Sequence, residues 1–293
     1  MDPRPAAFAT GDTLLLGIDL AWADGVKLAN ETGVVLLDST GTVLEAGWTR
    51  GVDATVAWID EHVTHPDVLA FVDASLIVTN PAGSQRLCEK QVGQRYGRWK
   101  VAANSTNIAS TRRAGAQLLD RLANLGWTYD DGFGGPPTSG RHVSECYPYT
   151  AIVGAPELGY DDERPRYKRP PRRMRAAEWK PLRAAACDDL VQRLAGLATA
   201  DPPLDLASHP VTRQLLEEPS PLDSRAYKHR EDLIDATLCA WTAALWVRRG
   251  FERCQVLGDP AEHPGAATII APARSEQRRS VLVGPTPGPA ARW

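Results

Sequence analysis

The chain has 293 residues, 43% hydrophobic and 24% charged, with a formal net charge of −3. These values describe an ordinary globular protein, large enough for one large α/β domain or two small ones. They exclude an overall field that would draw in a polyanion, so a nucleic acid partner would have to meet a local basic patch. The five cysteines, Cys88, Cys146, Cys187, Cys239 and Cys254, form no C-x-x-C pair, which excludes a zinc ribbon or a thioredoxin-type site.

Residues 1–11 read as a flexible lead without the basic start and apolar stretch of a signal peptide. Leu14 to Ala21 is a short apolar run that predicts a buried strand. Thr32–Asp38 and Thr42–Trp48 predict two more, and Ser39-Thr40-Gly41 between them is a hairpin signal. Val56, Ile59 and Val63 place a first helix over 53–62, and Val68–Asp73 is again a strand. Asn80-Pro81-Ala82-Gly83 is turn chemistry, followed by helices over 85–96 and 111–125 with Gly126 as a stop. The Gly/Pro-rich segment 130–141 reads as a mobile loop, and 143–147 as a short strand ended by Pro148. A basic stretch over 164–183 leads into a helix at 183–197 and a polar connection. The last helix is expected over 228–249, then a closing strand pair at 255–257 and 267–271, and a disordered tail over 272–293. The apolar segment Leu233–Val247 carries Asp235 and is too short to span a bilayer, so a cytoplasmic protein with no membrane partner is expected.

The order strand-strand-strand-helix-strand is the opening order of the RNase H-like fold. It predicts a central mixed five-stranded sheet, three antiparallel strands first, within one domain over 12–271. Asp19 and Asp73 each close an apolar strand, where burying a carboxylate is costly without a cation or donors. Glu145 repeats the pattern, and Asp232 and Asp235 share one helix face at i and i+3. The plain reading makes Asp19 and Asp73 caps of neighbouring turns, and Asp232 and Asp235 first-turn acids favoured by the helix dipole. Their combination predicts something else. Small residues at Ala236, Cys239 and Ala240 would bring the helix close to the sheet, and five carboxylates would converge on divalent cations. An all-oxygen set selects Mg²⁺ or Mn²⁺. Two such ions could drive phosphodiester hydrolysis, with Asp19 bridging both, Asp73 and Asp235 each holding one, and Asp232 assisting. Glu145 would be a further ligand or a general acid/base.

Gly17-Ile18-Asp19-Leu20-Ala21-Trp22, Asn80-Pro81-x-Gly83-x-x-Arg86-x-Cys88-Glu89, Glu145-Cys146-Tyr147-Pro148 and Glu231-Asp232-x-x-Asp235-Ala236 together resemble domain-of-unknown-function family 429. The resemblance covers about residues 12–271 and implies a predicted nuclease of RNase H-like fold. The chain departs from it at Ala74-Ser75-Leu76, where Pro-Leu is expected close behind the aspartate. Trp22, Asn80, Arg86, Tyr167 and Lys168 are the candidate substrate contacts. Packing on the last helix is the favoured use of Trp22, because aromatic residues mostly fill cores, and Asn-Pro-x-Gly is also ordinary turn chemistry. The basic run could clamp a phosphate backbone or be a solvated loop. Two other functions stay open, a non-catalytic binding module of the same fold and an actin-like ATPase or sugar kinase. The latter needs a second Gly-rich phosphate loop, for which Gly134-Gly135 before Pro136-Pro137 is poor material.

Overall fold

The structure is a computed structural model, and it describes residues 13–24, 30–168 and 174–279. The elements follow one another as β1 (Leu14–Asp19), β2 (Glu31–Leu37), β3 (Val43–Arg50), α1 (Val52–His62), β4 (Val68–Val72), α2 (Leu87–Tyr96) and α3 (Ala114–Ala123). Then come β5 (Thr128–Tyr129), β6 (Arg141–Glu145), α4 (Pro148–Gly154), α5 (Ala176–Ala195), α6 (Pro210–Glu217) and α7 (Ser224–Arg249). The chain closes with β7 (Cys254–Leu257), β8 (Ile269–Pro272) and α8 (Ser275–Arg279). Among the described residues no helix is long and apolar enough to cross a membrane.

β1 to β6 form one mixed sheet in the order β3-β2-β1-β4-β6-β5. The first three strands are antiparallel neighbours, and β4, β6 and β5 continue parallel to β1. Strand alternation sorts the core into two layers. Leu16, Ile18, Val34, Leu36, Ala70 and Val72 pack with α1 and α3 on one face, while Leu15, Val35, Leu37 and Phe71 pack beneath α7 on the other. The acids at the ends of β1 and β4 belong to the α7 side.

The sheet has six strands where five were expected, because β5 is two residues long and leaves no periodic trace in the sequence. The closing strand pair forms as read, but as a separate two-stranded sheet. Pro148 ends a strand and also starts α4, since proline suits the first helical position, where no amide proton is needed. Pro210 does the same for α6, within the stretch read as a polar connection, and α5 begins at Ala176 rather than 183. Regular structure continues past residue 271. The buried Arg274 donates to Val153 O and Tyr160 O, and α8 follows it. The 130–141 loop is pinned rather than free, with Asp131 accepting from Phe133 N, Gly265 N, Ala266 N and His263. The lead at 1–11, residues 280–293 of the expected tail, and Arg169, Arg172 and Arg173 of the basic run lie outside the described residues.

The approach of α7 to the sheet is set by two glycines. A Cβ on Gly17 would collide with Ala236 O and Ala240 N, and one on Gly33 with Asp232 O. Backbone therefore packs on backbone, closer than two side-chain layers would allow. Gly17→Ala is expected to cost about 2–3 kcal/mol by overpacking, read as a loss of melting temperature on the order of 4–12 °C. A variant as stable as the parent would show that the contact can relax.

Candidate active site

β1 and β4 run parallel with Ile18 opposite Val72, so Asp19 and Asp73 leave the sheet side by side at the same end. α7 crosses that end with Asp232 above Gly33 on β2 and Ala236 above Gly17 on β1. Asp232 and Asp235 both lie fully inside the protein. The helix begins at Ser224, capped by Asp223, and its first turn carries no acid. Asp232 therefore lies about 12 Å from the helix start at 1.5 Å per residue, beyond the reach of the terminal dipole charge. The dipole does not explain these acids.

Two lysines stand among the carboxyl groups. Lys168 pairs with Asp235, and Lys228 pairs with Asp232 and, at 3.0 Å, with Glu231. Tyr167 O–H donates to the other oxygen of Asp235 at 2.6 Å, and its own carbonyl accepts from Tyr227 O–H at 2.6 Å. The carboxyls of Asp19 and Asp232 come within hydrogen-bonding reach of each other. Five carboxyl groups (Asp19, Asp73, Glu231, Asp232 and Asp235) thus face two ammonium groups.

Burial and the neighbouring acids together make these carboxyls weaker acids. Burial, with Asp19 beside it, pushes Asp232 up to about 9 against the pull of Lys228. Burial, with Asp19 and Glu231, carries Asp235 to about 7 against Lys168. Burial lifts Asp73 well above the carboxylate range, with Lys168 opposing and Asp19, Asp235 and Glu145 adding to it. Burial works against the charge on both lysines, yet the surrounding acids hold them above the ordinary lysine value.

Among the described residues no three Asp, Glu, His or Cys side chains stand as a formed metal cage. The donor set nevertheless suits a hard divalent cation. It is all oxygen, it is rich in carboxyl groups, and Asp232 Oδ2 is buried without a hydrogen-bond partner.

Glu145 does not join this group through its oxygens. Arg86 grips it in a bidentate pair, Nη2 to Oε1 at 2.6 Å and Nη1 to Oε2 at 2.7 Å, and Leu76 N donates to it at 3.1 Å. Arg86 Nε also binds Glu89 at 2.8 Å, and Glu89 receives Thr106 N at 3.1 Å. The expected acid and the expected substrate arginine therefore satisfy each other. Buried at 3% exposure each, they fix the loop behind Asp73, where the chain has Ala74-Ser75-Leu76. Asn80 likewise serves a turn, donating to Ser84 O, Ser84 Oγ and Thr106 O.

Trp22 is 38% exposed and lines a small cavity with Asp73, Ser75, Asn104 and Tyr147. Tyr167 and Lys168 are brought into the site as partners of Asp235. Four arginines of the described basic run have partners within the protein. Arg164 lies over Tyr149, Arg166 pairs with Glu163, Arg175 with Glu178, and Arg183 lies over Tyr227. Sequence reasoning missed Lys228, although Lys228-x-x-Glu231-Asp232 is the i,i+3/i+4 spacing of helical ion pairs. It names Glu89 only as part of the family motif and not as the partner of Arg86, three residues before it.

A family model described as protein of unknown function DUF429 matches residues 17–263. No curated protein sequence and no solved structure matches the chain.

Removing Arg86 would leave Glu145 buried without its cation, so Arg86→Ala is expected to cost about 3–5 kcal/mol in denaturant unfolding. Pairing Arg86→Met with Glu145→Leu should recover part of that, since Glu89 still lacks its arginine. Equal costs for the single and paired variants would contradict this account.

The raised acids also set a pH dependence. Unfolded, Asp232 releases its proton near its ordinary value, about 4; folded, it keeps the proton up to about 9. The metal-free protein should therefore be most stable below about 4 from this group and lose that contribution as pH rises toward 9. Melting curves of Asp232→Asn should fall less over the same window, and parallel curves would refute the assignment.

Proposed function

The chain belongs to the DUF429 family, and from that premise and its acidic site we propose that it is a metal-dependent nuclease of RNase H-like fold. It hydrolyses nucleic acid phosphodiesters. The observation that carries the reading is the convergence of five carboxyl groups on two lysines at one end of the sheet, with Asp232 Oδ2 buried and unpartnered. The strand order β3-β2-β1-β4-β6, antiparallel and then parallel, supports the fold half of the proposal.

Asp19, Asp73, Asp232 and Asp235 would hold Mg²⁺ or Mn²⁺, which when bound supplies charge to activate water and to stabilise a leaving oxygen. The rest of the task falls to the chain itself. Tyr167 orients Asp235 by donating to one of its oxygens. Lys168, ion-paired to the same carboxyl and only 18% exposed, brings positive charge to the site where a phosphate would lie. Arg86 and Glu145 hold the backbone behind Asp73, keeping its carboxyl at the strand end. Trp22, exposed beside Asp73, offers a surface for a base or sugar.

One observation favours a second reading, a binding module without turnover. Lys168 and Lys228 already pair with Asp235 and Asp232, as they would in a site that needs no metal. The two readings separate in one experiment. Labelled single-stranded DNA, duplex DNA, RNA, RNA–DNA hybrid and branched DNA are incubated with the protein in Mn²⁺, Mg²⁺ or EDTA, beside Asp19→Asn. Metal-dependent cleavage that falls to the EDTA level in Asp19→Asn is expected. Mn²⁺ at 100 times its Kd should also stabilise the parent by about 2.7 kcal/mol and the variant much less. Stabilisation without cleavage would select the binding module, and neither response would refute the metal site.

A further inference from the structure

His229 lies on α7, three residues before Asp232, and its imidazole is held on two sides. Its ring stacks on Trp48 with centroids 3.5 Å apart and planes 17° from parallel. Its Nδ1 meets Glu31 Oε2 at 2.7 Å. Trp48 Nε1–H donates to the His229 carbonyl at 2.7 Å, tying ring, backbone and sheet edge together. Glu31 also meets Arg50 at 3.5 Å, so its carboxylate is held from the neighbouring strand.

A carboxylate oxygen only accepts, so in the neutral ring the proton sits on Nδ1 and the lone pair on Nε2. The His229 side chain is 44% exposed, so the imidazole is open to solvent.

The sheet register sets the dyad beside the acids. Asp19 pairs with Gly33 and Gly33 pairs with Trp48, which places Trp48 two strands, roughly 10 Å, from Asp19 on the same face. Along α7, His229 precedes Asp232 by about 4.5 Å of rise. Glu31 starts β2 and Arg50 ends β3, so both lie at the sheet end where Asp19 and Asp73 emerge. The other charged groups on this stretch of the helix are committed elsewhere. Lys228 binds Glu231 and Asp232, and Arg230 binds Leu215 O.

We propose that His229, oriented by Glu31 and Trp48, is the proton acceptor for the attacking water in phosphodiester hydrolysis, a role that rests on the nuclease reading. The bond from the water oxygen to phosphorus forms and the bond from phosphorus to the leaving oxygen breaks. The water's proton passes to His229 Nε2 and on to solvent, and the leaving oxygen takes a proton from bulk water. Glu31 is a positioning residue that keeps Nε2 free and the ring turned outward.

The test uses the full chain with Mn²⁺ and the substrate found by the cleavage panel. His229→Ala should lower kcat by about 10²-fold or more while KM stays near the parent value, and free imidazole should restore part of the lost kcat. Glu31→Gln should give a smaller loss of kcat. Imidazole should not rescue Asp19→Asn, which lacks a carboxylate rather than a base. Parent-like kcat in His229→Ala, or a loss matched by a fall in melting temperature and insensitive to imidazole, would overturn the role of His229 and leave the nuclease intact. A parent enzyme that cleaves nothing would instead bring down the nuclease reading, and this role with it.

Discussion

Backbone-to-backbone packing of α7 on β1 and β2 is the constraint on which the rest of the molecule depends. With glycine at 17 and 33, the helix lies where any Cβ would strike Ala236 O, Ala240 N or Asp232 O. Only at that depth can Asp232 and Asp235 reach the level at which Asp19 and Asp73 leave their strands. Side chains in both layers would hold the elements apart by about the usual 10 Å between packed layers, and the four aspartates would then be two separate surface pairs. Ala236, Cys239 and Ala240 on the helix complete the fit from the other side, all fully buried.

The close fit creates an electrostatic problem that the chain solves only in part. Isolated buried carboxylates are costly, and their usual relief is a partner or a proton. Glu145 has a full partner in Arg86 and is thereby removed from the cluster. The remaining acids share two lysines, and burial first, with their mutual repulsion after it, makes carboxyls that hold their protons well above the ordinary range. Folding would not select this arrangement for stability, since a hydrophobic replacement of a buried ionic group often costs nothing. A cluster kept under that strain points to a site.

Much of this was legible in the sequence, and the failures have physical reasons. Asp19 and Asp73 announce themselves because an acid that ends an apolar strand breaks a strong pattern. Glu145 shows the same pattern with a different outcome, because strand position says nothing of which cation folds beside it; Arg86 comes from 59 positions away. The last helix was read four residues short, as the polar stretch Ser224–Tyr227 carries no apolar period. That error alone made the dipole a credible explanation for Asp232 and Asp235. β5, α4 and α6 are two, seven and eight residues long, too short for periodicity to register. The Glu31–His229 pair spans 198 positions and rests on the β2–β3 register, which no local pattern encodes.

The two lysines differ in how they are held, and the difference bears on how the site could respond to a substrate. Lys228 is part of α7, one turn before Asp232, and moves only with the helix. Lys168 comes from outside the sheet, at the end of a segment anchored by Tyr167. The ring of Tyr167 is fully buried, its hydroxyl binds Asp235 and its carbonyl binds Tyr227. One residue beyond that anchor, the Lys168 ammonium pairs with Asp235. An ammonium with several rotatable bonds can exchange one oxygen partner for another at little cost. That freedom belongs to both side chains, but Lys228 is 45% exposed and Lys168 only 18%, so Lys168 is the more firmly enclosed partner of the cluster.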